Sequence, residues 1–185
     1  RFFIADDSAG RDQDVKKLKN LNTEICEAPF NMGHQRAIVY ALRELAKLCE
    51  DKDLIITLDS DGEDRPADIK ALLKPLVDSG DDRHAISLAQ RTKRRESLVF
   101  KTMYFFYKKL FKILTGTIIR TGNYAAFNGG FLRRHIWHPY FDLCYSSTLV
   151  RLNASRHFIA CERGKRLAGK SKMSFLRLVA HGTQM

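Results

Sequence analysis

The chain has 185 residues, of which 44% are hydrophobic, and this is enough to bury the core of one compact domain. Such a composition excludes global disorder, and no run approaches the roughly 20 apolar residues that span a bilayer. The net charge of +11 predicts an anionic partner such as nucleic acid, anionic lipid or a phosphorylated substrate. Four scattered cysteines without a Cys-x-x-Cys pair predict reduced thiols rather than a zinc site or a disulfide framework.

Strands and helices alternate through the first half of the chain. The predicted strands cover residues 2–5, 23–27, 54–58 and 85–89. A short polar helix is predicted at 12–20, and a second helix opens at 31–35 with apolar positions at the helical period through Leu48. A third helix begins at Pro66 and ends at Gly80. The alternation predicts an α/β fold with a mainly parallel sheet covered by helices on both faces.

The second half begins with an aromatic helix at residues 97–114, in which lysines alternate with phenylalanines and tyrosines. This composition suits either the surface of an anionic membrane or a core helix with its lysines in water. A strand at 124–132, interrupted by two glycines, and a strand at 157–162 follow, and a helix at 174–180 closes the chain.

Carboxylates follow two of the predicted strands. Asp59 and Asp61 come directly after the apolar run 54–58, and if the extended geometry persists they share one hard divalent ion, Mg²⁺ or Mn²⁺. Asp6 and Asp7 end the first strand in the same way. In open α/β sheets ligands bind at the carboxyl ends of strands, so the sequence predicts one shared crevice. A solvated acidic turn is the alternative interpretation.

Basic residues concentrate elsewhere, at 91–95, 101–112 and 151–172. An acidic, metal-binding half that faces a basic, phosphate-binding half fits phosphoryl-linked chemistry, and a solvated basic face is the alternative. Two other functions stay open on the residues alone. The Asp-Ser-Asp-Gly segment at 59–62 resembles a haloacid dehalogenase-like phosphohydrolase, and residues 91–95 with the aromatic helix suit a non-enzymatic basic module that binds nucleic acid or anionic lipid.

Five segments in order resemble glycosyltransferase family 2 with the GT-A fold, in its polyprenyl-phosphate (dolichyl-phosphate mannose synthase-like) branch. They are Asp-Asp-Ser at 6–8, Asn-Met-Gly-His-Gln-Arg-Ala at 31–37, Asp-Ser-Asp-Gly-Glu-Asp-Arg-Pro at 59–66, Thr-Gly-Asn-Tyr at 121–124 and Arg-Leu-Ala-Gly-Lys-Ser-Lys at 166–172. The resemblance implies that residues 1–185 form one GT-A catalytic domain, a Rossmann-like sheet flanked by helices. It also implies that the family's first strand and a C-terminal transmembrane region lie outside this sequence.

The resemblance assigns roles to single residues. The nucleotide sugar, UDP- or GDP-linked, would contact Asp6, Asp7, Gln35 and Asp59. The Mg²⁺ or Mn²⁺ ion would be held by Asp59, Asp61 and Glu63. The acceptor phosphate would be bound by Arg91, Lys101, Arg166, Ser171 and Lys172. The catalytic set would be Asp61, Arg166 and Lys172.

The implied reaction is an inverting, metal-dependent transfer of a sugar to a polyprenyl phosphate at the cytoplasmic face of a membrane, to which the full-length protein is anchored. The phosphate nucleophile is largely ionised near neutral pH, so it needs cationic positioning more than a general base. The implied partners are the donor, the lipid phosphate and the membrane surface. Nucleic acid is not among them, and a homo-oligomer is left open.

Overall fold

A computed structural model of the chain describes residues 1–80, 82–91 and 121–167. In these ranges the strands are β1 (Phe2–Asp6), β2 (Thr23–Glu27), β3 (Leu54–Thr57), β4 (Ala85–Arg91), β5 (Thr121–Asn128) and β6 (Ser155–Cys161). The α-helices are α1 (Gln13–Lys16), α2 (His34–Leu45), α3 (Ile69–Asp78), α4 (Gly129–His135) and α5 (Tyr145–Arg151). Short 3₁₀ helices cover Lys17–Asn20, Pro66–Asp68 and Pro139–Asp142. Among the helices described, none has the length and apolar character needed to cross a membrane.

The described residues form two compact units, and the first contains residues 1–53 and 128–151. In it β1 pairs with β2 in parallel, from Phe2 opposite Thr23 to Asp6 opposite Glu27. Helix α2 packs on β1. Its apolar residues recur at the helical period, which is why one face buries Val39 and Leu42 while the opposite face stays in water.

Helix α4 begins where the sequence pattern predicted a continuing strand. The side chain of Asn128 accepts a hydrogen bond from the Phe131 N–H at 2.8 Å, so it is the N-cap of this helix. A Cβ on Gly129 would stand 1.9 Å from the Glu50 carbonyl oxygen, so only glycine fits at the first helical position. The prediction of a strand over 124–132 is therefore wrong beyond Asn128.

The second unit contains residues 54–127 and 152 onward. Its sheet has the order β3-β5-β4-β6, in which β4 runs antiparallel to β5 and parallel to β6. Helix α3 packs on β4 and β6. The buried cluster beneath it consists of Leu72, Leu76, Ala85, Ala89, Tyr124, Ala126 and Cys161.

The α/β class that the sequence predicts, with sheets flanked by helices, is confirmed. Helix α5 was not predicted, because residues 145–151 carry no clear apolar stripe. The predicted helices at 97–114 and 174–180 lie outside the described residues. All four cysteines are free thiols.

Candidate functional site

An acidic loop (residues 59–64) follows β3 in the second unit. Strand β3 ends at Thr57, earlier than the sequence predicts, and the chain then turns. The extended geometry on which a shared orientation of Asp59 and Asp61 depended does not continue past Thr57, and their sharing of one metal ion stays a prediction. What positions the loop instead is its own set of hydrogen bonds.

Carboxylates of the acidic loop hold the loop's backbone in place. The side chain of Asp64, which is buried, accepts the Asp59 N–H at 2.9 Å. The side chain of Asp61 accepts the Glu63 N–H at 2.9 Å, in the manner of an Asx turn. Asp59 in turn accepts a hydrogen bond from the Asn123 side-chain amide of β5 at 3.2 Å. The loop is thus fixed both internally and against the sheet.

A basic strap (residues 162–167) follows β6 and runs along the acidic loop. The Gly164 N–H donates to the Glu63 carbonyl at 2.8 Å, and the Leu167 N–H donates to the Asp61 carbonyl, also at 2.8 Å. The approach is close enough that a Cβ on Gly164 would stand 2.3 Å from the Gly62 carbonyl oxygen. Two backbone hydrogen bonds and a glycine contact therefore hold strap and loop together.

Ion pairs join the same two segments. Arg166 Nη2 lies 2.8 Å from Asp61 Oδ2, and Arg166 Nε lies 3.5 Å from Glu63 Oε1. Arg163 also pairs with Glu63. The paired side chains are only partly exposed, so these charge-assisted contacts are less screened than pairs in open water. The loop therefore binds positive charge, which a guanidinium supplies in this structure.

Arg65 ties the loop to the core of the second unit. Its carbonyl accepts the Tyr124 hydroxyl at 2.7 Å, and its guanidinium lies 3.0 Å from Glu162 Oε2. Burial raises the pKa of the Tyr124 phenol far above its usual range, with Asp68 and Asp64 adding to the effect. Tyr124 thus stays a neutral hydrogen-bond donor beneath the loop.

Asp6 and Asp7, the carboxylates predicted to contact the nucleotide, lie in the first unit and hold backbone there. Asp6 accepts hydrogen bonds from the Ser8 N–H at 2.8 Å and the Ser8 hydroxyl at 3.1 Å. Asp7 accepts the Met32 N–H at 2.7 Å and the Gly33 N–H at 3.0 Å, so it fixes the turn before α2. Both side chains shape a loop, and their contact with a nucleotide stays a prediction.

Gln35 has a structural partner as well. Its side-chain oxygen accepts the Tyr145 N–H at 3.0 Å and lies 3.5 Å from the Ser146 nitrogen. It therefore satisfies the open backbone donors at the start of α5. No nucleotide contact is needed to explain this glutamine, and that prediction also stays untested.

The structure brings three of the predicted site residues into contact, namely Asp61, Glu63 and Arg166. Arg163 and Asn123 complete this constellation and were not predicted as site residues. Of the residues predicted to bind the acceptor phosphate, only Arg166 has a described side chain: Arg91 ends β4 without one, and Lys101, Ser171 and Lys172 lie outside the described residues.

In the parts of the chain that the structure describes, no group of three or more His, Cys, Asp or Glu side chains is arranged to hold a metal ion. The donors that the metal prediction names are nevertheless of the right type, because carboxylate oxygens are the ligands that Mg²⁺ and Mn²⁺ prefer. Asp61 and Glu63 also already hold two cations, the guanidinium groups of Arg163 and Arg166. The chemistry of the acidic loop therefore fits a hard cation.

Comparison with known families gives a match over most of the chain. The family model described as Glycosyl transferase family 2 matches residues 1–136, which is more than half of the chain and includes the acidic loop. No match is found among curated proteins.

Proposed function

The chain belongs to glycosyl transferase family 2, and from this premise we propose that it transfers a sugar from a nucleotide-diphosphate sugar to the phosphate of a polyprenyl lipid. Family membership makes the chain a glycosyltransferase with a nucleotide-sugar donor and an acceptor. The lipid phosphate, the divalent ion and the cytoplasmic membrane face are the proposed parts. The family match favours glycosyl transfer over a phosphohydrolase or a non-enzymatic basic module.

The acidic loop is the proposed donor diphosphate site. Asp59, Asp61 and Glu63 would hold Mg²⁺ or Mn²⁺, which when bound neutralises the negative charge that develops on the departing nucleoside diphosphate. The hydrogen bond that Asp64 accepts from the Asp59 N–H and the one that Asn123 donates to the Asp59 carboxylate keep the loop in place before any ligand binds. A loop that is already ordered loses little conformational entropy on binding.

Arg166 is the proposed link between donor and acceptor. In the described structure its guanidinium is shared by Asp61 and Glu63. With a divalent ion held by these carboxylates, the guanidinium of Arg166 would be released from them and would bind two phosphate oxygens bidentately. The pairing of Arg166 with Asp61, at 2.8 Å, is the observation that carries this proposal.

The acceptor reaction is a single displacement. An ionised phosphate oxygen of the lipid attacks the anomeric carbon while the bond from that carbon to the nucleoside diphosphate oxygen breaks. The products are a glycosyl monophosphoryl polyprenol with inverted configuration and a nucleoside diphosphate. The net charge of +11 supports an anionic acceptor, and Arg166 orients it with help from Arg91, Lys101, Ser171 and Lys172.

The proposal is tested with Arg166→Gln, which removes the charge and keeps much of the side chain. Without its guanidinium competitor, Mn²⁺ should bind about fivefold more tightly in calorimetry, as the loss of about 1 kcal/mol of ion pairing predicts. Transfer of labelled sugar to a polyprenyl phosphate should fall at least tenfold, a conservative figure for a lost bidentate phosphate contact. Arg156→Gln, on β6 but outside the strap, is the matched control and should change neither quantity.

Two results would contradict the proposal. Unchanged Mn²⁺ affinity in Arg166→Gln would show that arginine and metal do not compete for the acidic loop. Unchanged transfer to the lipid would remove Arg166 from the acceptor site. Release of inorganic phosphate instead of a sugar-linked lipid would favour the phosphohydrolase.

A further inference from the structure

An exposed apolar stripe lies on the first unit, in the segment between helices α4 and α5. Trp137, Tyr140 and Leu143 recur at every third position and expose 60%, 49% and 56% of their surfaces. Between them the backbone makes successive i to i+3 hydrogen bonds, from His138 to His135 and from Phe141 to His138. The 3₁₀ helix at Pro139–Asp142 places Tyr140 and Leu143 one above another, and Trp137 lies in the turn before it, since the backbone of His138 is extended (φ −63°, ψ 129°).

The opposite face of the same segment is buried. Ile136, Phe141 and Cys144 are each no more than 2% exposed and pack into the first unit. Thr148 of α5 anchors the segment from below, because its hydroxyl lies 2.8 Å from the Tyr140 carbonyl and 2.7 Å from the Cys144 carbonyl. The stripe is therefore displayed on a rigid support.

Arginines flank the stripe on both sides. The guanidinium of Arg43 lies 5.2 Å from the centre of the Trp137 ring, and that of Arg151 lies 5.6 Å from the centre of the Tyr140 ring. Residues 129–151 contain three arginines and one carboxylate, Asp142, which pairs with Arg43 at 2.8 Å. Arg133 in turn pairs with Asp51, so carboxylates neutralise two of the four arginines near the stripe, and residues 129–151 keep a modest formal charge of +2, three arginines less one carboxylate.

We infer that the stripe of Trp137, Tyr140 and Leu143 is a docking surface for an anionic lipid membrane. Tryptophan and tyrosine favour the boundary between headgroups and acyl chains, since one end of each ring system is apolar and the other is polar. The flanking arginines complement the negative charge of lipid headgroups. Three apolar side chains are far fewer than the roughly 20–30 residues that each partner contributes to a stable protein interface.

This inference deepens the proposed function and rests on it for the choice of occupant. A polyprenyl phosphate lies in a membrane, so an enzyme that uses it must reach the headgroup layer. Partial insertion of one aromatic pair and one leucine gives weak, reversible binding, to which electrostatic attraction adds. The stripe would thus hold the first unit at the surface from which the acceptor is taken.

Trp137 is the only tryptophan of the chain, so its fluorescence reports on the stripe directly. The whole chain is titrated with vesicles of phosphatidylcholine alone or mixed with phosphatidylglycerol. The mixed vesicles should shift the emission to the blue, and lipids brominated on their acyl chains should quench it. Vesicles of phosphatidylcholine alone should have a much smaller effect.

Substitutions then test the stripe itself by vesicle sedimentation. Leu143→Ala combined with Tyr140→Ala should weaken partition into the mixed vesicles about tenfold, given the apolar area that the pair loses. Leu48→Ala is the matched control, because Leu48 is the same residue type with the same exposed fraction of 56%, and it should leave partition unchanged. Arg134→Gln should weaken partition about fivefold, as expected for one cation near an anionic surface.

Three outcomes would overturn the inference. The chain could sediment with vesicles while Trp137 keeps the emission of a water-exposed indole, which would place the lipid contact elsewhere. The emission could instead shift with protein concentration alone, which would make a second copy the occupant. The chain could also bind nucleotide sugars but not vesicles, which would refute the docking surface and leave the proposed glycosyl transfer intact. Vesicle binding without nucleotide-sugar binding would refute only the proposed function.

Discussion

Replacing Gly164 with alanine is expected to separate the basic strap from the acidic loop. The new Cβ would stand 2.3 Å from the Gly62 carbonyl oxygen, whereas ordinary contact begins at 3.4 Å. A backbone oxygen cannot rotate away, so the two backbones must move apart by about 1 Å. That movement also weakens the 2.8 Å hydrogen bond from the Gly164 N–H to the Glu63 carbonyl.

The cost follows from these two losses. Overpacking costs about 1–3 kcal/mol and a lost hydrogen bond about 1 kcal/mol, so the free energy of unfolding should fall by about 2–4 kcal/mol. For a chain of this size the melting temperature should drop by about 4–16 °C in scanning calorimetry. Because the strap's backbone hydrogen bonds, unlike the Arg166 side chain, also keep the loop ordered, their loss should lower nucleotide-sugar affinity as well.

Gly80→Ala is the matched control for this experiment. It adds the same methyl group with no atom within 4 Å, but at a φ of +64°, where alanine costs about 1–2 kcal/mol. It should lower the melting temperature without changing nucleotide-sugar affinity. A wild-type melting temperature for Gly164→Ala would refute the steric argument, and normal affinity in a destabilised Gly164→Ala would refute the role of the strap.

Three further predictions concern stability. Thr148→Val should destabilise the chain by about 1–3 kcal/mol in urea denaturation, because the Tyr140 carbonyl loses its hydroxyl partner. Thr148→Ser should restore most of the loss, and equal stabilities of the valine and serine variants would contradict the hydrogen bond. Asp7→Asn should lower the free energy of unfolding by about 1–2 kcal/mol in urea denaturation, because the Asp7 carboxylate accepts hydrogen bonds from two backbone amides. Asp12→Asn, an exchange of one good N-cap residue for another on α1, should lower it hardly at all, and the opposite order would be incompatible with these contacts. Burial raises the pKa of the Cys161 thiol from 9.0 to about 11, so folding favours the protonated thiol. The stability that this thiol contributes is complete below pH 9 and is lost as the pH rises through 11. The absence of such a loss relative to Cys161→Ala would count against this shift.

Elements set by local pattern could be predicted from the sequence. Helix α2 follows from apolar residues at the helical period, and α3 follows from Pro66 at its approach and Gly80 just after its end. The start of α4 could not be predicted in this way. It depends on the Asn128 cap and on the Glu50 carbonyl, which lies far away in sequence and leaves room only for glycine at 129.

The candidate site was predictable only in part. Carboxylates after an apolar strand pointed to the acidic loop, and Asp61 and Glu63 do bind positive charge there. Their partners Arg163 and Arg166 lie about a hundred residues further along, so no local pattern reports the pairing. A usable signal was a glycine in each charged segment, Gly62 in the acidic loop and Gly164 in the basic strap, since close backbone approach requires glycine.

The most direct test of the central claim is a calorimetric titration of the chain with UDP- and GDP-linked sugars, each with and without Mn²⁺. Glycosyl transfer by the acidic loop predicts that sugars of one base bind, that binding requires Mn²⁺, and that Asp61→Asn abolishes it while the melting temperature changes little. Binding that is independent of both Mn²⁺ and Asp61 would contradict the role given to the loop. No binding of any nucleotide sugar by the folded chain would contradict the donor site altogether.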